Sequence, residues 1–334
     1  MNVPSFSVGG VGRIPSIGFG TFGSDYISND LMMESVRFAI INGYRHIDCA
    51  SVYGNEKEVG KVLKAAMDGT LTGTPIARSE FWITSKLWND KHAKADVIPS
   101  CRQTLEDLQL EYLDCYLVHW PFPNFHPPKC SVTSRSPNAR PFLHDDFIET
   151  WREMENLKKA GLSRFIGMSN MTIPKLEDVL PDCIVKPAVI EMELHPLFQQ
   201  QTMCEYAKKK GMVIIGFCPL GSPHRPERDK TPDDLVDMED PVVQEIARAH
   251  KVHPAAICLK WAHANGIIPI PLSTKERNIR SNLESVCSDP LTKKEIEQLK
   301  ERDKGNRLVK GQVFLWERAR DWHDIWDEEG MIAR

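Results

Sequence analysis

The chain has 334 residues, of which 41% are hydrophobic and 26% charged, with 42 lysines and arginines against 46 aspartates and glutamates. This composition is typical of a soluble globular protein, and the length allows either two domains or one large α/β barrel. A net charge of −4 gives no long-range attraction for polyanions, so nucleic acid and membranes are not expected partners. A small-molecule substrate is expected instead.

The N-terminal sequence MNVPSFSVGGVGRIP lacks the basic and apolar segments of a signal peptide, and no run of about 18 apolar residues follows it. The nine cysteines are scattered, form no Cys-x-x-Cys pair and lie in several cases within apolar runs. The sequence therefore predicts a cytoplasmic location and reduced thiols. It contains no HExxH motif or clustered His/Cys spacing, and no metal site is predicted.

Eight short apolar runs alternate with stretches of helical periodicity along the chain. The strand candidates are residues 17–21, 44–50, 81–87, 112–120, 164–170, 188–194, 212–218 and 266–272. The helix candidates are residues 30–42, 55–67, 95–109, 145–160, 172–180, 200–210, 254–264 and 275–287. Eight strand–helix pairs without a linker predict a single α/β domain over residues 1–334, a (β/α)8 TIM barrel spanning about 17–290.

Three segments are longer than such a barrel requires: residues 121–144, residues 218–240 and a tail of about 305–334. The first two follow strands, so they are expected on the catalytic face, where the loops after the strands build the active site. The aromatic tail is expected to pack across the barrel, with a partner-binding amphipathic helix as the alternative.

Residues 18–23 have the GxGxxG pattern of dinucleotide-binding Rossmann folds. In that fold the helix begins within the glycines, whereas here residues 24–28 intervene before a plausible helix cap. We interpret the glycines as allowing a tight turn at the mouth of the first strand. A Rossmann dehydrogenase is kept as a minor alternative.

Four ionisable residues stand at or just after the ends of successive strands: Asp48, Tyr53, Lys86 and His119. Reduction of a carbonyl by a hydride donor needs a proton for the oxygen, which a tyrosine supplies poorly unless a cation lowers its pKa. Lys86 is the candidate cation, Asp48 its partner, and neutral His119 a donor that orients the carbonyl. Without Tyr53 and His119, a merely structural ion pair would explain the other two equally well.

These residues stand in long motifs that resemble those of the aldo-keto reductase family. The motifs are, in chain order, GYRHIDCASVYGNEKEVGKVL, ITSKLW, LDCYLVHWP, GLSRFIGMSN, KPAVIEMELHP and FCPLGSP. The resemblance extends from the GFGTF segment to about residue 290. It implies a monomeric barrel that reduces aldehydes or ketones with NADPH, and a catalytic tetrad of Asp48, Tyr53, Lys86 and His119.

The same resemblance implies a set of cofactor-binding residues. The set is Thr21, Asp48, Ser169, Asn170, Glu191, Phe217, Leu220, Ser222, Leu272, Ser273, Thr274, Asn278 and Asn282. Glu191 stands where family members commonly have glutamine, which changes the charge beside the nicotinamide. Leu272 and Asn278 replace a lysine and an arginine that commonly bind the 2′-phosphate. We therefore expect NADPH use with appreciable NADH use.

The resemblance also implies a substrate mouth. Its residues are Phe22, Val52, Tyr53, Trp88, His119 and Trp120. Five basic residues in nearby loops fit an anionic substrate, although solvated loop charge explains them as well: Lys129, Arg135, Arg140, Arg307 and Lys310. The expected substrate is a sugar or sugar-acid carbonyl. An alternative of another class is a protein that keeps this fold and cofactor pocket for a structural or regulatory role.

Overall fold

The chain begins with an antiparallel hairpin of strands β1 (Ser5–Val8) and β2 (Gly12–Pro15), which the sequence analysis did not anticipate. The computed structural model describes residues 2–23, 26–127, 130–223 and 225–334. Val8 and Ile14 of the hairpin are buried against residues at the beginnings of later strands, among them Trp82. The hairpin therefore covers the N-terminal end of the sheet.

Eight parallel strands form one sheet in chain order. They are β3 (Phe19–Gly20), β4 (His46–Asp48), β5 (Trp82–Leu87), β6 (Leu113–Val118), β7 (Ser163–Ser169), β8 (Val189–Glu193), β9 (Val213–Phe217) and β10 (Ile267–Pro269). The backbone N–H groups of Gly18 and Gly20 donate to the carbonyls of Pro269 (2.9 Å) and Pro271 (3.2 Å). These bonds join the first strand to the last, and the predicted (β/α)8 TIM barrel is confirmed.

The glycines of the GxGxxG segment serve this closure. A Cβ atom on Gly20 would lie 2.8 Å from the carbonyl oxygen of Ile270, and one on Gly18 would lie 2.8 Å from the Cγ2 atom of the same residue. Only glycine permits such a close approach of two strands. The Rossmann alternative is wrong, because the segment is a barrel strand with no helix beginning inside it.

Helices cover the outside of the barrel. In the described part of the chain they are α1 (Asn29–Asn42), α2 (Glu56–Met67), α3 (Lys94–Leu108), α4 (His144–Lys159), α5 (Ile173–Val179), α6 (Gln201–Lys209), α7 (Pro241–His250), α8 (Pro254–Ala264), α9 (Glu276–Ser285) and α10 (Lys293–Lys300). Helices α7 and α10 were not predicted. The Asp240 side chain accepts from the N–H groups of Val242 and Val243, and Pro241 occupies the first turn, so α7 has a standard start.

The tail after α10 packs across the barrel, as expected. It contains two short 3₁₀ turns, Gln312–Phe314 and Trp322–Trp326, and no α-helix among the described residues. Phe314, Trp326 and their neighbours form an apolar cluster with Trp88 and Trp120 from the ends of β5 and β6. The amphipathic-helix alternative is therefore wrong.

Candidate active site

The four predicted catalytic residues meet at the C-terminal end of neighbouring strands. Asp48 ends β4, Lys86 lies near the end of β5, and His119 directly follows β6. Tyr53 belongs to a 3₁₀ turn, Ser51–Tyr53, after β4. The backbone N–H and the hydroxyl of Thr21 both donate to the Asp48 carbonyl, at 3.1 and 2.8 Å, and so fix the end of β4. Adjacent strands thus bring together residues far apart in sequence.

Lys86 is the fully buried centre of this site. Its ammonium group donates to the Asp48 carboxylate and, at 3.0 Å, to the carbonyl of Cys49. Glu191 on β8 lies 3.2 Å from the same Nζ atom. Burial lowers the pKa of Lys86, but the Asp48 carboxylate and the neighbouring Glu191 carboxyl group outweigh this effect and hold the pKa well above its usual range. Lys86 is therefore a permanent cation.

The Tyr53 phenol faces that cation. The Lys86 Nζ atom lies 5.5 Å from the centre of the Tyr53 ring, which also contacts Phe22 (5.1 Å) and His119 (6.0 Å between ring centres). Burial raises the pKa of Tyr53, Lys86 lowers it, and Asp48 and Glu191 raise it again, so the net pKa is above the usual value. The sequence argument was right about Lys86 and wrong about the net direction.

His119 is neutral at pH 7. Burial, followed by the nearby Lys86 charge, lowers the pKa of His119 well below its usual range. The edge of the Trp88 ring packs against the imidazole, with ring centres 5.1 Å apart. A neutral imidazole keeps one N–H donor, which is what the orientation of a carbonyl oxygen requires.

Two buried acceptors without partners lie next to this cluster. The Asn170 side chain donates to the His119 carbonyl (2.9 Å) and to Ser169 Oγ (3.2 Å), but its Oδ1 atom has no hydrogen-bond partner. Glu191 Oε2 also has no hydrogen-bond partner. The two residues are adjacent, because the Asn170 backbone N–H donates to the Glu191 carbonyl at 3.0 Å. Because buried polar atoms are normally paired, these acceptors fit the amide N–H groups of a ligand such as a nicotinamide carboxamide.

The loop after β9 supplies three further predicted cofactor residues. Phe217 is half-buried at the strand end, Leu220 packs partly against the main core, and Ser222 has a left-handed backbone with φ of 36°. The Ser222 carbonyl accepts from both the backbone and the guanidinium of Arg225, at 3.1 and 3.2 Å. These bonds hold the loop in a defined shape.

The predicted adenine end lies at the start of α9. Leu272 is half-buried against the main core, and the Ser273 hydroxyl accepts from the backbone N–H of Lys275 at 3.2 Å. The other three predicted residues have different exposures: Thr274 half-buried, Asn278 exposed and Asn282 buried. Within the described residues, Lys275 and Arg277 are exposed and make no ion pair, whereas Arg280 pairs with Glu284 at 2.9 Å.

The predicted substrate mouth has an open side and a covered side. Phe22 and Val52 are 50% and 42% exposed, whereas Trp88 and Trp120 are only 8% and 4% exposed. Phe314 covers both tryptophans, at 5.9 and 4.6 Å between ring centres. The wall of the mouth therefore includes a tail residue that the sequence analysis missed. The four aromatic residues at positions 314–326 were the available signal.

A buried ion pair anchors the tail. The Lys175 ammonium group on α5 donates to Asp327 (2.5 Å) and to the carbonyl of Ile325 (2.8 Å), and the Thr172 hydroxyl also donates to Asp327. Lys175 and Asp327 are both buried. This pair fixes the end of the tail against the barrel.

A second buried cluster joins the tail to β8. The His195 ring lies between Glu193 (3.0 Å) and Asp237 (2.9 Å), and Glu193 accepts from the backbone N–H groups of Leu308 and Val309, at 2.7 and 2.8 Å. Burial lowers the pKa of His195, but the two carboxylates outweigh it and raise the pKa to about 9. His195 is therefore a buried imidazolium at neutral pH.

Three of the basic residues suggested for anion binding, Arg135, Arg140 and Lys310, bond to protein oxygens. Arg135 donates to the carbonyls of Trp316 and Ala319, both at 3.1 Å, and Arg140 pairs with Asp146 at 2.9 Å. Lys310 donates to Asp234 (3.0 Å) and to the Thr231 hydroxyl (2.7 Å). The Arg307 guanidinium stacks on Trp326 and Phe198, at 3.5 and 4.5 Å from the ring centres. Lys129 lies outside the described residues.

The geometry and the sequence comparisons agree on the class of protein. The model of the Aldo/keto reductase family matches residues 16–304, so the chain belongs to the aldo-keto reductase family. It is 37% identical to "Aldo-keto reductase family 1 member A1" of Gallus gallus over 302 residues and of Homo sapiens over 305 residues. Each alignment covers 89% of this chain and 88% of the relative.

A solved structure extends the agreement to three dimensions. The crystal structure of a Bombyx mori aldo-keto reductase in complex with NADP superposes with a TM-score of 0.80 at 28% identity. The superposition covers 92% of this chain and 95% of that one.

Proposed function

We propose that the protein is an NADPH-dependent reductase of aldehydes or ketones. The observation that carries the proposal is the meeting of Asp48, Lys86, Tyr53 and His119 at the catalytic end of the barrel, beside unpartnered acceptors on Asn170 and Glu191. The NADP bound to the Bombyx mori relative supports the choice of cofactor. A bound reduced nicotinamide would supply the hydride to the carbonyl carbon.

The protein residues handle the proton and the carbonyl oxygen. Tyr53 donates its phenolic proton to that oxygen as the alcohol forms, and the phenolate left behind is stabilised by Lys86 until it takes a proton from water. Neutral His119 donates a hydrogen bond to the same oxygen and fixes its position. Burial raises the pKa of Tyr53, so the phenol is protonated at neutral pH, and Lys86 opposes that rise and so makes the phenol a better proton donor than burial alone would leave it.

The cofactor preference follows from the adenine end. With Leu272 half-buried and Asn278 uncharged, Lys275 and Arg277 are the exposed cations near the start of α9 that face no acidic partner in the described structure. We propose that they give a moderate preference for NADPH and that NADH is also used. Preference for NADPH by several orders of magnitude would contradict this.

The substrate proposal is an uncharged carbonyl compound, with a sugar among the candidates. Phe22 and Val52 form an apolar entrance, and three of the four described basic residues of the loops are already bound to carboxylate or carbonyl oxygens. Arg307 is stacked between two aromatic rings. Arg135, Arg140 and Lys310 are therefore not free for an anionic substrate, and the Arg307 Nε and Nη1 atoms, which have no hydrogen-bond partner, are buried.

The test follows the loss of reduced-nicotinamide absorbance with NADPH and with NADH. The panel pairs each neutral aldehyde, ketone or sugar with its carboxylated analogue at fixed pH. We expect turnover with both cofactors, NADPH being preferred, and higher kcat/KM for the neutral member of each pair. Absence of turnover with cofactor binding retained would favour the structural or regulatory alternative.

The location and the oligomeric state are proposed with the function. In the described residues no helix is both long and apolar enough to cross a membrane, and no group of three or more His, Cys, Asp or Glu side chains is arranged to hold a metal ion. We propose a cytoplasmic monomer. Sedimentation and cell fractionation test these two points.

A further inference from the structure

Lys86 lies between two buried carboxyl groups. Its ammonium group donates to Asp48 on β4, and Glu191 Oε1 on β8 lies 3.2 Å from the same Nζ atom. Both carboxyl side chains are buried, and Asp48 Oδ2 and Glu191 Oε2 have no hydrogen-bond partner. A lysine with one carboxylate would already be neutralised, so the second carboxyl group needs a separate explanation.

The charges around Lys86 balance only if one carboxyl group keeps a proton. Two carboxylates and one ammonium group would leave an unpaired negative charge in a buried site, which costs several kcal/mol. The titratable groups that face Glu191 are Asp48 on β4, Lys86 on β5, Cys115 on β6 and Tyr53 after β4. Lys86 is the only cation among these four groups.

Glu191 is the carboxyl group that holds the proton. Burial, and then the charge of Asp48, raise the pKa of Glu191 well above its usual range. The Lys86 ammonium group donates directly to Asp48, whereas Glu191 lies 3.2 Å from the same Nζ atom, so Asp48 is the better stabilised of the two carboxylates. Asp48 therefore keeps the charge that pairs with Lys86.

Building on the proposed reductase function, we infer that Glu191 is a positioning residue: its carboxyl group is protonated and uncharged, and so leaves the Lys86 ammonium group available to Tyr53. Asp48 and the Cys49 carbonyl accept two of the three N–H bonds of that ammonium group. The remaining N–H bond has Glu191 Oε1 at 3.2 Å from Nζ on one side and the Tyr53 ring, with its centre 5.5 Å from Nζ, on another. A neutral Glu191 competes weakly for it, whereas an ionised Glu191 competes strongly.

Loss of the Glu191 proton therefore changes the reaction. The new carboxylate draws the ammonium group toward itself, and its negative charge raises the pKa of Tyr53, which makes the phenol a poorer proton donor. Glu191→Gln removes this effect, because the carboxamide has nearly the same shape but cannot ionise. The two proteins are thus expected to differ in how their rates depend on pH.

The kinetic test compares kcat for carbonyl reduction by wild type and Glu191→Gln across pH. We expect the ratio of variant to wild type to rise above its value at about pH 6 where Glu191 loses its proton, by at least about tenfold over the pH range in which both proteins stay folded. KM for the carbonyl compound should not follow the same curve. A constant ratio across this range would overturn the inference, because a merely structural role lowers the rate equally at each pH.

A second measurement does not depend on turnover. Infrared difference spectra at neutral pH should show the C=O stretch of a protonated carboxyl group that disappears in Glu191→Gln. Glu56 is another buried carboxyl group, and burial raises the pKa of Glu56 to about 7, so Glu56→Gln is the matched control for assigning the band. If no band is lost in Glu191→Gln, the assignment of the proton to Glu191 is refuted even in a protein without reductase activity. If the band is lost and no turnover is found, the proton assignment stands and the proposed function fails.

Discussion

The floor and the covered wall of the site are built in different ways. The floor consists of Asp48, Lys86 and His119, which project from strands that are neighbours in the sheet. The wall brings Trp88 and Trp120 from strand ends together with Phe314 and Trp326 from the far end of the chain. The floor is therefore set by barrel topology, whereas the wall depends on how the tail is anchored. Disruption of one should leave the other intact.

The largest expected effect comes from a substitution that alters the floor and leaves the wall unchanged. Tyr53→Phe removes the proton donor but keeps the ring that packs against Phe22 and His119. We expect kcat to fall by about 10²–10⁴-fold, since general acid catalysis contributes about that much. The dissociation constant of the reduced cofactor, measured by fluorescence titration, should stay within about twofold of wild type. Unchanged turnover would refute the role of Tyr53.

The next largest effect comes from a substitution that weakens the anchor of the tail, and with it the wall, and leaves the floor unchanged. Asp327→Asn leaves the buried Lys175 charge without its partner and should lower the free energy of unfolding by about 3–5 kcal/mol, measured by urea denaturation. Replacing both residues, Lys175→Met with Asp327→Leu, should recover most of this loss. Glu329→Ala is the matched control, from the exposed pair that Glu329 forms with Arg320 in the same tail, with an expected loss below about 1 kcal/mol. Equal losses in both single variants would contradict the anchoring role.

A smaller effect concerns the buried His195 cluster, which joins the tail to β8. The folded-state pKa of His195, about 9, lies above its unfolded value, so its stabilisation is complete below about pH 6.5 and is lost as pH rises through 9. The unfolding free energy of wild type should fall over this range. His195→Gln should show less of that fall, and parallel pH curves for the two proteins would exclude His195 as the cause.

The smallest effect concerns a region that belongs to neither floor nor wall. Arg277→Ala should lower the ratio of kcat/KM for NADPH to that for NADH by about threefold to tenfold, as expected for one exposed phosphate contact. Arg280→Ala serves as control, because Arg280 already pairs with Glu284 on the same helix. A larger change in the control than in Arg277→Ala would assign phosphate binding to Arg280.

The barrel and the floor were predictable because their signals are local. Apolar runs mark the strands, and a polar residue at the end of a buried run marks the catalytic face, so Asp48, Lys86 and His119 were found together. The wall was only half predictable. Trp88 and Trp120 were named, but their cover by Phe314 depends on contacts across nearly 200 residues of sequence, and no periodic pattern encodes such contacts.

The pKa of Tyr53 illustrates a different limit. The direction in which this pKa shifts depends on the depth of burial and on the nearby carboxylates, and both oppose the effect of Lys86. The sequence showed the cation but not the relative sizes of the opposing effects. Helix α7 was not predicted because it follows a long loop, although Asp240-Pro241 is a recognisable helix start in the sequence.

The closure of the barrel also constrains how the protein is made. The backbone bonds from Gly18 and Gly20 to Pro269 and Pro271 connect points about 250 residues apart in the chain. During synthesis these bonds cannot form until β10 has left the ribosome, so the nascent chain must hold β3 without its outer neighbour. An exposed parallel edge at this stage is open to pairing with other chains. Pairing of β10 with β3 therefore ends the period in which the nascent chain is most exposed to aggregation.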